Sequence, residues 1–222
     1  MTKENLKILK SGSVYFFYRP KIEKRAEVQR FFLVLHSLPP DLYHLLIVGK
    51  KHLPAEKEGS YFAFLETIKK DKNDLLRSFG EKSYSTATRG ERVLPTARCL
   101  GVGKFLLVEH QNHTHLIYRL TAPQNIKSTQ TEFNLQKEGD YLISVKNPQV
   151  STSSGVGLGN QRRAVYPDWL QTKMANYRFI PLNPSDFLNY EGTELLLIAK
   201  ARASLIQREP ELVNCWEEVG PQ

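Results

Sequence analysis

Short runs of aromatic and β-branched residues, separated by turn-forming residues, recur along most of the chain. Ser13–Tyr18, Val28–His36 and Tyr43–Val48 read as strands, with Gly12 ahead of the first, Pro20 at its end and Pro39-Pro40-Asp41 forcing a turn after the second. Between Tyr61 and Phe79 the spacing changes. Phe62, Leu65, Ile68, Leu75 and Leu76 stand among lysines and acids at helical intervals, which predicts an amphipathic helix broken near Asp71-Lys72-Asn73-Asp74 and stopped at Gly80.

Tyr84–Arg92 reads as a loop, and strands resume over Val93–Leu100, Gly103–His110, His113–Leu120 and Asp140–Val145. Pro167–Asn176 has a helix-start proline and amphipathic spacing. Tyr177–Leu182 and Glu194–Lys200 read as further strands, with a turn or short helix over Pro184–Gly192 between them. Strand follows strand through short turns, without regular crossover helices. The pattern therefore predicts an α+β fold: a predominantly antiparallel, barrel-like or strongly curved sheet with two or three peripheral helices. Residues 1–222 read as a single β-rich domain, with a mobile loop or minor boundary at 149–165.

Charge narrows the partners. Lys and Arg number 31 against 23 Asp and Glu, giving a net charge of +8, so attraction to polyanions is expected from folded faces, there being no long basic tail. The N-terminal Met-Thr-Lys-Glu-Asn-Leu-Lys lacks an apolar secretory run, and Leu195–Ala199 is too short to span a bilayer. With two cysteines, Cys99 and Cys215, a disulfide framework is excluded and a reducing, cytoplasmic setting is expected. Both thiols read as buried and not as nucleophiles.

The sharpest local feature is a run of three histidines, His110, His113 and His115, on a predicted hairpin turning at Gln111-Asn112. A two-residue turn pairs His110 with His113 and Val108 with His115, which brings all three imidazoles to one face. Phe105, Leu107, Leu116, Tyr118 and Leu120 then form the opposite, core-facing side, and Glu109 points away from the imidazoles. Such a face can hold zinc, although a polar hairpin tip explains the same residues without a cofactor.

Two other segments carry possible chemistry. Gly155-x-Gly157-x-Gly159 followed by Arg162 and Arg163 can approach a phosphate, yet it lacks the Gly-Lys-Ser/Thr of a P-loop and reads first as a flexible segment. Tyr15, Phe17, Arg19 and Lys21 alternate onto one side of a strand, with the two aromatics reading more readily as core than as stacking platforms. No Gly-x-Ser-x-Gly elbow, zinc finger or helix-turn-helix is spelled, so enzyme status stays open.

The leading expectation is a basic module that binds a polyanion, nucleic acid first, through Arg89, Arg92, Lys104, Arg119, Arg162 and Arg163 and without a cofactor. The alternatives are a metal-dependent hydrolase with zinc on His110, His113 and His115, and a protein-protein interaction module.

Overall fold

The computed structural model describes residues 6–21, 28–86, 90–150 and 162–200. Eleven strands and three α-helices occur among them. In chain order they are β1 (Leu6–Pro20), β2 (Val28–Ser37), β3 (Leu42–Val48), β4 (Ser60–Lys69), α1 (Lys72–Phe79), β5 (Lys82–Thr86), β6 (Gly90–Leu94), β7 (Arg98–His110), β8 (His113–Ala122), α2 (Ser128–Glu132), β9 (Glu138–Lys146), α3 (Asp168–Met174), β10 (Phe179–Pro181) and β11 (Glu194–Ala199). Every strand pairing is antiparallel, and the order β1-β2-β3-β4-β11-β9-β8-β7 returns to β1, closing an eight-stranded barrel. The barrel-like α+β expectation is met.

An eight-stranded barrel has an interior just wide enough for side chains to fill. Here Val14, Phe16, Leu33, Leu46, Phe105 and Tyr118 fill it, with the Phe16 and Tyr118 rings 4.9 Å apart. Phe133, which follows α2, packs against Tyr18 and Phe31 at one end of β1. Phe187 and Leu188, on a 3-10 helix over Ser185–Asn189, join the same core; Asp186 of that helix acts electrostatically on Lys10, towards the other end of β1. Gly12 is required by a close approach: a Cβ there would stand 1.9 Å from the His36 carbonyl oxygen.

The predicted helix over Tyr61–Phe79 is instead β4 followed by the short α1. The pairing of β3 with β4 slips between Leu45 and Leu46, so that Leu46 faces Leu65 while Leu45 faces Thr67, leaving Glu66 as an extra residue. A bulge of this kind shifts the inward positions from Ala63 and Leu65 to Ile68, and the three-residue step imitates a helix. Helix α1 remains separate because Asp71 accepts hydrogen bonds from the Asn73 and Asp74 amides and starts it afresh. It lies on the outer wall, where Leu75 and Phe79 pack on Phe32, Val34 and Leu45 and the Phe79 ring stacks on Phe17. Tyr15 and Phe17 therefore support a helix, as their core reading anticipated.

Two other local expectations change. Of Tyr84–Arg92, read as a loop, Tyr84–Thr86 and Gly90–Arg92 are paired strand in β5 and β6, and 87–89 lie outside the described residues. Cys99, read as buried, is exposed, because a register slip between Phe16 and Phe17 sets it opposite outward-facing Phe17; burial of part of its surface still pushes the thiol pKa up, against thiolate formation. Cys215 and the Gly155–Gly159 motif lie outside the described residues, as do 151–161 of the expected boundary. No helix among the described residues is long and apolar enough to cross a membrane.

Inside the barrel, His44 is completely buried. Its Nδ1 lies 3.2 Å from the Leu35 carbonyl oxygen, while its Nε2 has no partner among the described residues. Burial, with smaller contributions from Lys10 and His36, lowers its pKa to about 4.

Two outcomes follow from these contacts. Gly12→Ala should lose about 3 kcal/mol or more, read as a shift of the urea midpoint at unchanged slope, because backbone must move to admit the methyl group. Between pH 6.5 and 4 the unfolded chain takes up a proton at His44 that the folded chain refuses. Stability should therefore be complete above pH 6.5 and fall on acidification towards pH 4, by up to about 3 kcal/mol from this group. His44→Asn should flatten that part of the pH-stability curve, and an unchanged curve would refute the assignment.

Candidate polyanion site on the barrel wall

With the interior filled, the recesses that can hold a ligand lie elsewhere on the molecule. Two of them, of about 400 and 310 Å³, share Gln29, Arg30, Ile47 and Glu66 and form one groove across the outward faces of β1 to β4. Arg19, Lys69 and Lys82 line the first recess; Lys51 and Arg162 line the second. Glu66 is the groove's one acid among its described lining residues, and it is paired with Arg162.

Local structure explains how these cations meet. Arg19 and Arg30 stand directly opposite in the β1–β2 ladder, where like charges repel. The conflict is resolved by folding Arg19 down onto the barrel wall, where its guanidinium donates to the carbonyls of Ser78, Gly80 and Pro95. Ser78 belongs to the last turn of α1, whose carbonyl dipoles favour a cation. No carboxylate pairs with Arg19 among the described residues. Burial, and then the charge of Arg30, lower its pKa, but a guanidinium starts so high that it remains charged.

The bulge at Glu66 supplies the second component. It brings Thr67 and Lys69 to the outward side, opposite Leu45 and Tyr43, whereas uninterrupted alternation would send both into the barrel. Gly192 anchors the third. It adopts φ +84°, donates its amide to the Leu65 carbonyl and accepts from the Ala164 amide, and a Cβ there would lie 2.2 Å from the Arg162 carbonyl oxygen. The segment carrying Arg162 is thus held against β4. The side chains of Arg30, Lys51, Lys69 and Lys82 have no hydrogen-bond or ion-pair partner among the described residues.

The cations expected from the sequence are scattered over several surfaces. Arg162 lines the groove. Arg92 lies on β6 opposite Tyr84, two pairs beyond the Lys82–Leu94 pair that forms part of the groove, and Arg89 lies outside the described residues. Lys104 and Arg119 face each other across the β7–β8 ladder, away from the groove, with Arg119 bonded to Glu138 at 2.7 Å. Arg163 donates to the Pro148 carbonyl and lines a different recess. Arg30, Lys51, Lys69 and Lys82 were missed as a set because four separate segments contribute them; the Lys50-Lys51 and Lys69-Lys70 pairs were their only trace.

The histidine hairpin has the expected register, with His110 opposite His113, Val108 opposite His115 and Gln111 at φ 54° in the turn. The three imidazoles occupy different environments. His113 is exposed, His110 is half-buried, and His115 is buried with its Nδ1 2.8 Å from Asp140 Oδ1. Asp140 orients His115 as a carboxylate does behind a metal-bound imidazole, and the His110 and His115 ring centroids are 6.0 Å apart. Among the described residues, however, no three His, Cys, Asp or Glu are arranged to hold an ion. Glu109 turns away, accepting a hydrogen bond from Asn183.

A third recess, of about 450 Å³, mixes Glu56, Glu138 and Asp140 with Lys57 and Lys200 and so has no preference for an anion. Comparison with protein-family models, curated proteins and solved structures finds no match to this chain.

The two opposed arginines should separate on substitution. Arg19→Met should cost about 3 kcal/mol in chemical denaturation, since it leaves three carbonyls without their charged donor. Arg30→Met should stay within about 0.5 kcal/mol of the unsubstituted protein. Equal losses would show that Arg30 is a structural residue too.

Proposed function

We propose that this protein binds a polyanion, nucleic acid in the first instance, in the groove across β1–β4. The observation that carries this reading is the excess of uncompensated cations in one concave place. Arg19, Arg30, Lys51, Lys69 and Lys82 face a single carboxylate among the described lining residues, and Arg162 already pairs it. Surface cations are ordinarily dispersed among acids, and gathering them without acids costs repulsion that a bound anion relieves. Folding Arg19 onto carbonyls retains its charge at the groove wall without a competing carboxylate.

Binding on this reading is an ionic contact to phosphates that needs no cofactor, and the protein acts as a cytoplasmic binding module. The hairpin reading, zinc on His110, His113 and His115 with hydrolysis of a substrate, has in its favour the Asp140–His115 bond. It lacks the third converging ligand among the described residues. The groove reading is therefore preferred. No comparable single observation favours a protein partner.

Fluorescence anisotropy of labelled oligonucleotides across a salt series tests the proposal. Four partner-free cations that each displace a counterion from single-stranded phosphates give a slope of log affinity on log salt of about −3, at about −0.7 per contact. Arg30→Ala and Lys69→Ala should each flatten the slope by slightly less than about 1, whereas Lys104→Ala should leave it unchanged. Binding that persists in chelator separates this reading from the zinc one. Failure of every polyanion to bind at low salt would overturn it.

A further inference from the structure

We infer that the nucleic acid taken by this groove is single-stranded, with unstacked nucleotides in the two recesses and a following base stacked on Tyr84. The inference rests on the polyanion reading and adds to it the state of the strand and a stacking residue. Three observations support it.

The first is shape. A duplex presents a convex surface and is read by elements that protrude into its grooves, whereas these cations line a recess. Arg19 is 96% buried at the groove wall, and the two recesses, about 400 and 310 Å³, fall near the lower end of the range that encloses a small molecule. Each suits one unstacked nucleotide better than a segment of double helix.

The second is the alternation of chemistry. Ile47 lines both recesses and Phe64 lines the second, each half-buried, so an apolar surface lies beneath Arg30, Lys51 and Arg162. Gly49 also lines the second recess, where the lack of a side chain leaves the approach over the Phe64 ring open. Apolar surface for base faces under a cationic rim for phosphates is the arrangement by which single strands are held without a sequence code.

The third is the hairpin beside the groove. Lys82 and Leu94, a facing pair in β5–β6, line the first recess. Strand alternation returns Tyr84 to the side of Lys82, where the residue is 40% exposed, and the pairing sets Arg92 opposite it. An exposed aromatic two residues beyond a groove-lining lysine, on the same face of the strand, is where the next base of a single strand arrives. Tyr84 thus has a position, a neighbouring charge and an accessible face, and it makes no ring contact within the protein among the described residues.

The test measures anisotropy at one low salt concentration with a short RNA, a DNA of the same sequence, the corresponding blunt DNA duplex, and heparin as a base-free polyanion. Both single strands should bind at least about ten-fold tighter than the duplex. Tyr84→Ala should weaken single-strand binding roughly five- to one-hundred-fold, the range of one lost stacking contact. Tyr84→Phe should bind as the unsubstituted protein does, and heparin binding should be unaffected by either change. A duplex that binds as tightly as the single strands would overturn the inference while leaving the polyanion reading intact; the β5–β6 ribbon would then be reading a duplex groove. A Tyr84→Ala protein with unchanged melting and less than about two-fold loss for single strands would overturn the stacking role. Absence of binding to all four probes would instead overturn the reading beneath it.

Discussion

Pairing of β8 with β9, from His115 opposite Leu142 to Arg119 opposite Glu138, closes the sheet on itself, and the remaining features of the molecule follow from that closure. A closed sheet of eight strands has no unprotected edge to manage, and its interior accommodates side chains and nothing larger. Phe16, Phe105 and Tyr118 occupy the space that a wider barrel would give to a ligand. Recognition is thereby displaced to the outer wall. On that wall the inward and outward positions of each strand are fixed by alternation, so any residue presented to a partner must have the right parity or be given it by an irregularity.

The groove depends on such irregularities. The bulge at Glu66 reverses the parity of the end of β4 and turns Lys69 outward while Ile68 enters the core. Bulges increase local twist and re-aim side chains at sheet positions next to functional sites. Gly192, in a left-handed conformation beside that bulge, fastens the Arg162 segment onto β4. One short stretch of backbone therefore sets two of the groove's cations. Arg19 is set differently, by the polar groups that the end of α1 and the approach to β7 leave in need of a donor. Its charge acts on the groove while its hydrogen bonds hold the helix to the wall, so stability and recognition share one side chain.

Buried polar groups divide by their role in this architecture. Lys146 and Glu194 form a buried ion pair that joins neighbouring strands β9 and β11, and Asp140 receives the buried His115. Each is satisfied within the protein. His44 differs: its Nε2 has no partner among the described residues, and burial in the barrel holds the imidazole neutral. An uncharged histidine in an apolar interior costs less than an imidazolium there, which explains why its position tolerates the nearby Lys10.

Much of the fold was legible because strand signals are local. The alternation in Phe105–Leu107 and Leu116–Leu120 determined which face of the hairpin is core, and the two-residue turn at Gln111-Asn112 determined its register. Helix α3, the strand after it and the final described strand are equally readable from their spacing and breakers. Periodicity failed where register slipped: a bulge in β4 gave a strand the spacing of a helix, and a slip at Leu100 of β7 against β1 exposed Cys99. The polar β5–β6 hairpin lacked the apolar alternation that marks a half-buried pair. The candidate site was legible as a net positive charge, as Arg162 and as Arg19 on its strand, since composition fixes how much charge a chain carries but not where it gathers. Tertiary structure decided that Arg19, Arg30, Lys51, Lys69 and Lys82 meet, because their proximity depends on barrel closure, ladder register and one bulge, none of which is a property of neighbouring residues in sequence.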